Sequence, residues 1–131
     1  MSDLASVMCV EDDPDLQDVI ALALEDVGKL SVTVCGSGEE ALAQVATVAP
    51  DLILLDVMMP GMDGMATLEA LRAMPSAADI PVIFMTAKVQ PDEIAAYRAA
   101  GATGTLAKPF DPLTLADDLR ALYLKAKGAA G

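Results

Sequence analysis

The chain has 131 residues, enough for one domain, and 54% of them are hydrophobic, which supplies ample core for a domain of this size. Twenty acidic residues against eight basic residues give a formal net charge of -12. This charge repels phosphate backbones and anionic lipids, so we expect no direct binding to nucleic acid or to a membrane surface. Because the chain lacks histidine, the commonest general base and transition-metal ligand are missing, and any metal should bind oxygen.

The N-terminal residues and the two cysteines indicate where the protein works. No stretch is long and apolar enough to cross a bilayer, and the first residues do not resemble a secretory signal. We therefore expect a cytoplasmic location. Cys9 and Cys35 fall inside predicted strands and show no metal or redox spacing, which favours buried thiols that act as small hydrophobic side chains.

Five apolar runs of strand length alternate along the chain with segments of helical periodicity. The runs cover residues 7–10, 30–35, 51–56, 82–85 and 103–107. Pro81, just before the fourth run, marks the start of the predicted fourth strand. This alternation is typical of βαβ units and predicts an α/β fold built on a parallel sheet. In the third run, consecutive leucine and isoleucine residues indicate burial on both faces, as a sheet covered by helices requires.

Capping and turn residues set the limits of the predicted helices. The first helix begins at an aspartate and a proline, residues 13–14, keeps an apolar face as far as Val27, and ends at Gly28. A capping box at 37–40 opens the second helix, which closes before Pro50. The third follows a turn-rich loop over 60–64, the fourth runs from near Pro91 to Gly101, and residues 111–112 cap the last.

Polar residues stand where four of the five runs end. Glu11 and Asp12 follow the first, Asp56 ends the third, Thr86 follows the fourth and Lys108 follows the fifth. Because the carboxyl ends of parallel strands share one edge of a sheet, we expect these side chains to meet in one pocket. Taken singly, Glu11 and Asp12 are also typical of solvated loop acids, and Thr86 of an ordinary strand end. Asp56 is harder to explain in that way, because it ends a buried strand.

Converging carboxylates repel one another unless a cation lies between them, and a hard dication such as Mg2+ suits oxygen ligands. Lys108 supplies a further positive charge, and the Thr86 hydroxyl can donate to a phosphoryl oxygen. An aspartate can act as a nucleophile and form an acyl phosphate when the charge on the transferred oxygens is neutralised. The pattern therefore predicts that Asp56 accepts a phosphoryl group, and that the added charge changes the surface of the protein.

With these residues in this order, the chain resembles the response-regulator receiver domains of bacterial two-component systems, the CheY-like family. The motifs that carry the resemblance are VEDDP at 10–14, DVMMPGMDG at 56–64, MTAK at 85–88 and KPF at 108–110. The resemblance covers nearly the whole chain. It implies a flavodoxin-like (βα)5 three-layer sandwich whose parallel sheet has the strand order 2-1-3-4-5. We expect one receiver domain over residues 1–131, with its core at about 4–125.

The resemblance implies how the acids share the metal and the phosphoryl group. Asp56 would be the phosphoacceptor and a metal ligand. Asp12 would bind Mg2+ directly, and Glu11 would act mainly through water. The main-chain carbonyl of Met58 would complete the protein's share of the metal ligands.

The resemblance also implies roles for the residues after the fourth and fifth strands. Thr86 would bind the phosphoryl group and move with it, Lys108 would pair with its oxygens, and the peptide bond before Pro109 would be cis. Three residues before the lysine the family usually has an aromatic residue. This chain has Thr105 at that position, preceded by Gly104. A threonine cannot fill the groove that the aromatic side chain occupies. We therefore expect a partner to bind the face made by the fourth helix, fifth strand and fifth helix differently, while the phosphorylation chemistry survives.

The expected partners are a sensor histidine kinase or histidine phosphotransfer protein as donor, and a downstream protein as target. The chain is expected to act as a stand-alone receiver, or as a fragment of a longer regulator, that catalyses only its own phosphorylation and dephosphorylation. An aspartyl-phosphate enzyme would place a second aspartate two residues after Asp56, where Met58 stands, and a flavoprotein would need a phosphate-cradling loop after the first strand. The main alternative is a receiver-like interaction module that works without phosphorylation, because Thr105 weakens the usual output.

Overall fold

A computed structural model describes the backbone of residues 4–87 and 90–130, and their side chains as far as Lys127. The strands are β1 (Ser6–Val10), β2 (Ser31–Cys35), β3 (Leu52–Asp56), β4 (Val82–Thr86) and β5 (Gly104–Ala107). The helices are α1 (Pro14–Ala21), α2 (Gly38–Val48), α3 (Gly64–Ala73), α4 (Pro91–Ala99) and α5 (Leu115–Ala130), and a π-helical segment, Leu22–Val27, directly follows α1. Within these ranges, no helix has the length and apolar character that crossing a membrane requires.

The strands form one parallel five-stranded sheet in the order β2-β1-β3-β4-β5. The predicted fold class and strand order are thereby confirmed. Near the carboxyl ends of the strands, the register pairs Val10 with Leu55, Asp56 with Met85, and Thr86 with Ala107. Neighbouring strands therefore end at similar levels, and the polar residues that end or follow them lie along one edge of the sheet.

Two hydrophobic clusters on opposite faces of the sheet make the three layers. One contains Leu54 together with Leu24 of the π segment and Leu119 of α5. The other contains Leu55 together with residues of α2 and α3. All residues of β3 are buried, as its unbroken apolar sequence predicts, because alternate side chains of the strand enter different clusters. The central strand therefore offers polar chemistry only at its end.

The two cysteines face opposite layers of the molecule. Cys9 belongs to the cluster that includes α5, Cys35 to the cluster that includes α2, and both thiols are free and fully buried. Burial raises the pKa of the Cys35 thiol to about 11 and also raises the pKa of Cys9, so both stay protonated at neutral pH. The prediction of buried thiols is confirmed. Because the sheet separates their side chains, the two cannot form a disulfide with each other.

The chain departs from the predicted first helix after α1. In the π segment, the N–H of Gly28 donates to the carbonyl of Ala23, five residues back, at 3.0 Å. A π turn takes up one residue more than an α turn, so the inward-facing position moves from Val27 to Gly28. Val27 is 49% exposed, and the predicted apolar face that includes it is wrong there. Gly28 is buried instead, where a Cβ atom would lie only 2.3 Å from Cβ of Ala116.

Local hydrogen bonds decide where the helices begin. Asp13 caps α1 and Ser37 caps α2, as predicted. The cap predicted at residues 111–112 is wrong. The Asp111 carboxylate accepts the N–H of Leu113 at 2.9 Å, which closes an Asx turn, and α5 begins only after this turn, at Leu115.

Arg72 of α3 joins two loops at the opposite end of the sheet from the acids. Its guanidinium donates to the carbonyl of Gly101, with distances of 3.1 and 2.9 Å, and to three carbonyls of the α3–β4 connection. Those three belong to Ala77, Ala78 and Ile80, at 2.9 to 3.2 Å. This cation is therefore committed to main-chain groups.

Candidate functional site

Three carboxylates converge at the carboxyl edge of the sheet. Glu11 and Asp12 follow β1, and Asp56 ends the neighbouring strand β3. One oxygen of each lies within 4.8 Å of the others. Glu11 and Asp56 are only 1% and 4% exposed, and Asp12 is more exposed than either. The structure thus brings together the three acids that the sequence indicates, and their oxygen atoms suit a hard divalent cation.

Lys108 reaches the acids from the position directly after β5, a strand that β4 separates from β3. Its ammonium nitrogen lies 3.1 Å from a carboxylate oxygen of Glu11 and 3.3 Å from one of Asp56. The lysine side chain is 24% exposed, so it is accessible from solvent while its partners are nearly buried. One cation pairs with two buried carboxylates, and the site as a whole stays negatively charged.

Burial and charge act together on the protonation of this site. Burial raises the pKa of Glu11, and the charge of Asp56 adds to the rise. The Asp13 N–H, 3.1 Å from the Glu11 carboxylate, and Lys108 act in the opposite direction. Burial alone would lower the pKa of Lys108, but its hydrogen bond to Glu11 and the charges of both acids outweigh burial, and the pKa is raised. Lys108 is therefore charged at neutral pH.

The main chain on both sides of β3's end fixes the Asp56 carboxylate. The N–H of Met58 donates to Asp56 Oδ1 at 3.1 Å. Behind it, a Cβ atom on Gly64 would lie 2.5 Å from the Asp56 carbonyl oxygen and 2.7 Å from Val57 Cα. No side chain fits there unless the main chain that carries Asp56 moves. The sequence indicates Gly64 only as a turn residue, and this close approach has no local signal.

Gln17 of α1 is another contact that the sequence does not reveal. Its side-chain nitrogen donates to the main-chain carbonyl of Glu11 at 2.5 Å. This hydrogen bond ties α1 to the acidic segment after β1. In the sequence Gln17 is one polar residue among several on a helix, and only the folded chain shows its contact.

The other predicted residues lie along the same edge. Thr86 is buried at the end of β4, and its carbonyl accepts the N–H of Lys108 at 2.9 Å. The Lys108–Pro109 peptide bond is cis, the isomer that the resemblance implies. Met58 is 79% exposed, and the metal-binding role of its carbonyl stays a prediction. Lys88, the last residue of the MTAK motif, lies outside the described residues.

Thr105 lies away from the acids, in the middle of β5. The register pairs it with Phe84 of β4. Phe84 packs edge to face against Tyr97 of α4, with ring centroids 5.0 Å apart. The aromatic contact on this side of β4 therefore comes from α4 and not from position 105.

Comparisons with known proteins agree on one family. A family model described as a response regulator receiver domain matches residues 7–120. The chain is 35% identical over 115 residues to the DNA-binding response regulator MtrA of Mycolicibacterium smegmatis, a match that covers 88% of this chain and 49% of MtrA. It is 38% identical over 117 residues to the transcriptional regulatory protein YvrH of Bacillus subtilis, covering 89% and 48%. The chain thus spans about half the length of these curated relatives.

Solved structures show the same likeness in three dimensions. The chemotaxis response regulator CheY4 of Vibrio cholerae superposes with a TM-score of 0.84 at 33% identity, covering 91% of this chain and 98% of CheY4. The receiver domain of the Francisella response regulator 1452 gives a TM-score of 0.81 at 30% identity, covering 92% and 98%. The similarity in sequence and the similarity in fold therefore extend over nearly the same part of this chain.

Proposed function

The chain belongs to the response regulator receiver domain family, and we propose that Asp56 is the residue in it that accepts the phosphoryl group. Domains of this family are signalling modules of two-component systems and interact with histidine kinases or phosphotransfer proteins. The observation that carries the proposal is the position of Asp56. Its buried carboxylate lies 3.3 Å from the Lys108 ammonium and, by one oxygen, within 4.8 Å of oxygens of Glu11 and Asp12.

Receiver domains bind Mg2+ at an acidic pocket, and the residues of this pocket fit that ion. All three side-chain donors are carboxylates, and three negative charges against the one positive charge of Lys108 leave a net charge of -2. We propose that Glu11, Asp12 and Asp56 hold Mg2+ together with the main-chain carbonyl of Met58. When bound, the ion supplies positive charge to the oxygens of the transferred group.

The proposed reaction transfers one phosphoryl group from a phosphohistidine to Asp56. A carboxylate oxygen attacks phosphorus, the O–P bond forms as the N–P bond breaks, and the imidazole nitrogen keeps the bonding electrons and takes a proton from solvent. Lys108 can pair with one phosphoryl oxygen, and the Thr86 hydroxyl can donate to another. Later attack by water releases inorganic phosphate and restores the carboxylate. Because residues 1–131 contain no histidine, the phosphohistidine lies outside them.

Phosphorylation would change the charge balance at this edge of the sheet. A phosphoryl group adds about 1.5 to 2 negative charges and new acceptor oxygens. Lys108, now 3.1 Å from Glu11, would gain a stronger partner on Asp56, and Thr86 would move toward the same group. We propose that this movement, carried into the chain after β4, alters the surface that a downstream protein binds.

We propose that residues 1–131 form one receiver domain with its core at about 4–125, of which 7–120 match the family model. The domain processes no metabolite and catalyses only its own phosphorylation and dephosphorylation. A kinase or phosphotransfer protein and a downstream target are its proposed partners. The net charge of -12 argues against direct contact with nucleic acid or an anionic membrane. A cytoplasmic location stays a prediction.

Intact-mass spectrometry tests the proposal directly. Incubation with Mg2+ and acetyl phosphate should add the mass of one phosphoryl group to the protein. The Asp56→Ala variant should remain unlabelled, while Asp92→Asn, which changes an exposed acid at the start of α4, should be labelled normally. Labelling that persists in Asp56→Ala, or that is absent from the unmodified protein, contradicts the proposal.

The alternative function is a receiver-like module that binds its partner without phosphorylation. The observation that favours it is the place of Thr105, a short side chain in the middle of β5 where the family usually has an aromatic. Failure of both acetyl phosphate and a phosphorylated histidine phosphotransfer protein to label Asp56 would support this alternative.

A further inference from the structure

Of the three acids proposed to hold Mg2+, Asp12 is the least supported by side-chain contacts. Glu11 and Asp56 are nearly buried, and Lys108 pairs with both. Asp12 is exposed, and within the part of the chain that the structure describes its carboxylate forms no ion pair or hydrogen bond. The position of this carboxylate therefore depends on the main chain on either side of it.

The two peptide groups that flank Asp12 are each held by a hydrogen bond. In the group that follows it, the N–H of Asp13 donates to the Glu11 carboxylate at 3.1 Å. In the group that precedes it, the carbonyl of Glu11 accepts the side-chain nitrogen of Gln17 at 2.5 Å. Because a peptide group is planar, a hydrogen bond to its carbonyl also restrains the direction in which the next residue leaves it. Gln17 thus restrains, from α1, the peptide group that leads into Asp12.

Gln17 is itself held firmly in the first turn of α1. Its N–H donates at 2.9 Å to the carbonyl of Asp13, the residue that caps the helix. Its side chain is half-buried, and its amide nitrogen would lie 3.7 Å from a Cβ atom at Gly36, in the loop after β2. The amide is therefore partly shielded from water, where a hydrogen bond is stronger than at an exposed helix surface.

The hydrogen bond from Gln17 can be removed without removing the contacts that fix the strand and the helix. The N–H of Glu11 donates to the carbonyl of Cys35 at 3.0 Å, and its carboxylate pairs with Lys108. The cap of α1 is a bond from the N–H of Asp15 to the Asp13 carboxylate. We therefore expect loss of the Gln17 amide to release one peptide group and to leave β1 and α1 in place.

We propose that Gln17 is a positioning residue for the metal site. Its hydrogen bond holds the Glu11–Asp12 peptide group so that the Asp12 carboxylate stays beside those of Glu11 and Asp56. The inference rests on the proposed function and adds to it a residue outside the acidic motif. If the peptide group is released, a smaller fraction of molecules is ready to bind, and the apparent Kd rises in inverse proportion to that fraction. Gln17 therefore acts on the affinity for Mg2+, and on phosphorylation when Mg2+ is scarce.

Titration of the unphosphorylated protein with Mg2+, followed by amide NMR signals, tests the inference. Gln17→Met keeps the length of the side chain and removes the donor, so it should raise the Kd about three- to tenfold, the range that one hydrogen bond accounts for. Gln44→Met is the matched control. It removes a half-buried glutamine of α2 whose side chain donates to Glu40 at 3.1 Å and not to the acids of the site. Its Kd should change less than about twofold.

The dependence of phosphorylation on Mg2+ separates metal positioning from general damage to the site. With Mg2+ well below its Kd, Gln17→Met should be labelled by acetyl phosphate about three- to tenfold more slowly than the unmodified protein. With saturating Mg2+, the two rates should agree within about twofold. Slow labelling that saturating Mg2+ does not restore would assign Gln17 a purely structural role and overturn the proposal.

Gln17→Leu, a second variant without a donor, should lose Mg2+ affinity in the same way. Unchanged affinity in either variant, or an equal loss in Gln44→Met, overturns the proposal. The titration needs no phosphoryl group, so a protein whose Mg2+ affinity depends on Gln17 but whose Asp56 is not labelled would support this inference and contradict the proposed function. An unmodified protein that binds no Mg2+ overturns the inference, and labelling of Asp56 then decides the proposed function separately.

Discussion

The acidic edge of the sheet and the basic cavity beside β5 differ in the burial and the pairing of their charged side chains. At the edge, Glu11 and Asp56 are nearly buried and both pair with Lys108. The cavity lies between α4, β5 and α5, where Arg98 and Lys125 are exposed and have no acidic partner among the residues that the structure describes. The first arrangement sets one cation against two buried carboxylates, and the second leaves two cations exposed to solvent.

The difference shows what each region depends on. The edge depends on strand register and on close main-chain packing, so a small displacement there separates groups that must act together. The cavity depends on a few side chains carried by helix surfaces and on the absence of bulk on β5. Substitutions should therefore have large effects on the first region and graded effects on the second.

The largest expected effect comes from one substitution made in both regions. Lys108→Ala removes the cation next to Asp56 and should slow labelling by acetyl phosphate roughly 100-fold, as loss of a charge-stabilising donor does in other transfer reactions. Lys125→Ala should leave the labelling rate within about twofold. Time courses of intact mass measure both. Similar rates for the two variants would show that the two regions do not differ in this way.

Glycine substitutions compare the packing of the two regions. A methyl group on Gly64 meets main-chain atoms at 2.5 and 2.7 Å, whereas one on Gly104 meets the ends of two flexible side chains at 3.3 and 3.5 Å. Gly64→Ala should lower the free energy of unfolding by about 1 to 3 kcal/mol. Gly104→Ala should change it by about 0.5 kcal/mol or less, because the lost flexibility of glycine offsets mild crowding. Urea denaturation decides, and a tolerated Gly64→Ala would contradict the close packing behind Asp56.

Metal binding should stabilise the protein through the acidic edge alone. At ten times its dissociation constant, Mg2+ should raise the free energy of unfolding by about 1.4 kcal/mol. Asp12→Asn should reduce this gain and, without metal, should not destabilise the protein, because it relieves repulsion among the acids. Asp92→Asn, on α4, serves as the control and should keep the full gain. Thermal unfolding with Mg2+ and with a chelator measures each, and an unchanged gain in Asp12→Asn would argue against its role as a ligand.

The smallest expected effect concerns the bulk missing from β5. Thr105→Tyr places a ring at the cavity and should leave the acidic edge unchanged. Labelling of Asp56 by acetyl phosphate should proceed at its normal rate, since Thr105 lies in the middle of β5 and not at the acidic edge. Thr105→Ser, which keeps the small side chain, should be labelled at the same rate. Slower labelling in the tyrosine variant alone would show that the cavity and the acidic edge are coupled.

The residue pattern was sufficient for the strands and for the meeting of the polar residues at one edge, and the family resemblance supplied the strand order. Asp56 follows a run of apolar residues that only a strand covered on both faces explains, and parallel strands end at a common edge. Glu11 and Lys108 are far apart in the chain, yet each directly follows a strand. Their pairing at 3.1 Å needed only the strand order implied by the family resemblance and a side chain long enough to reach.

The sequence-based predictions were wrong where contacts with residues far along the chain decide between two local conformations. Helical periodicity continues to Val27, but the π segment turns Gly28 inward against Ala116 of α5, a contact that no local pattern contains. Asp111 can cap a helix or close a turn, and it closes a turn here, with α5 starting beyond it. The close approach behind Gly64 is likewise a contact between segments, so only the assembled fold reveals it.

Because the two thiols lie on opposite sides of the sheet, the rate at which each is modified reports the local opening of one layer of the protein. A buried thiol reacts with a reagent in solution only when the helices that cover it move away, and local opening differs between parts of a fold. Variants that keep Cys9 alone or Cys35 alone would therefore time the opening of one layer at a time. A rearrangement confined to one side would accelerate the modification of one sulfur and leave the other at its former rate.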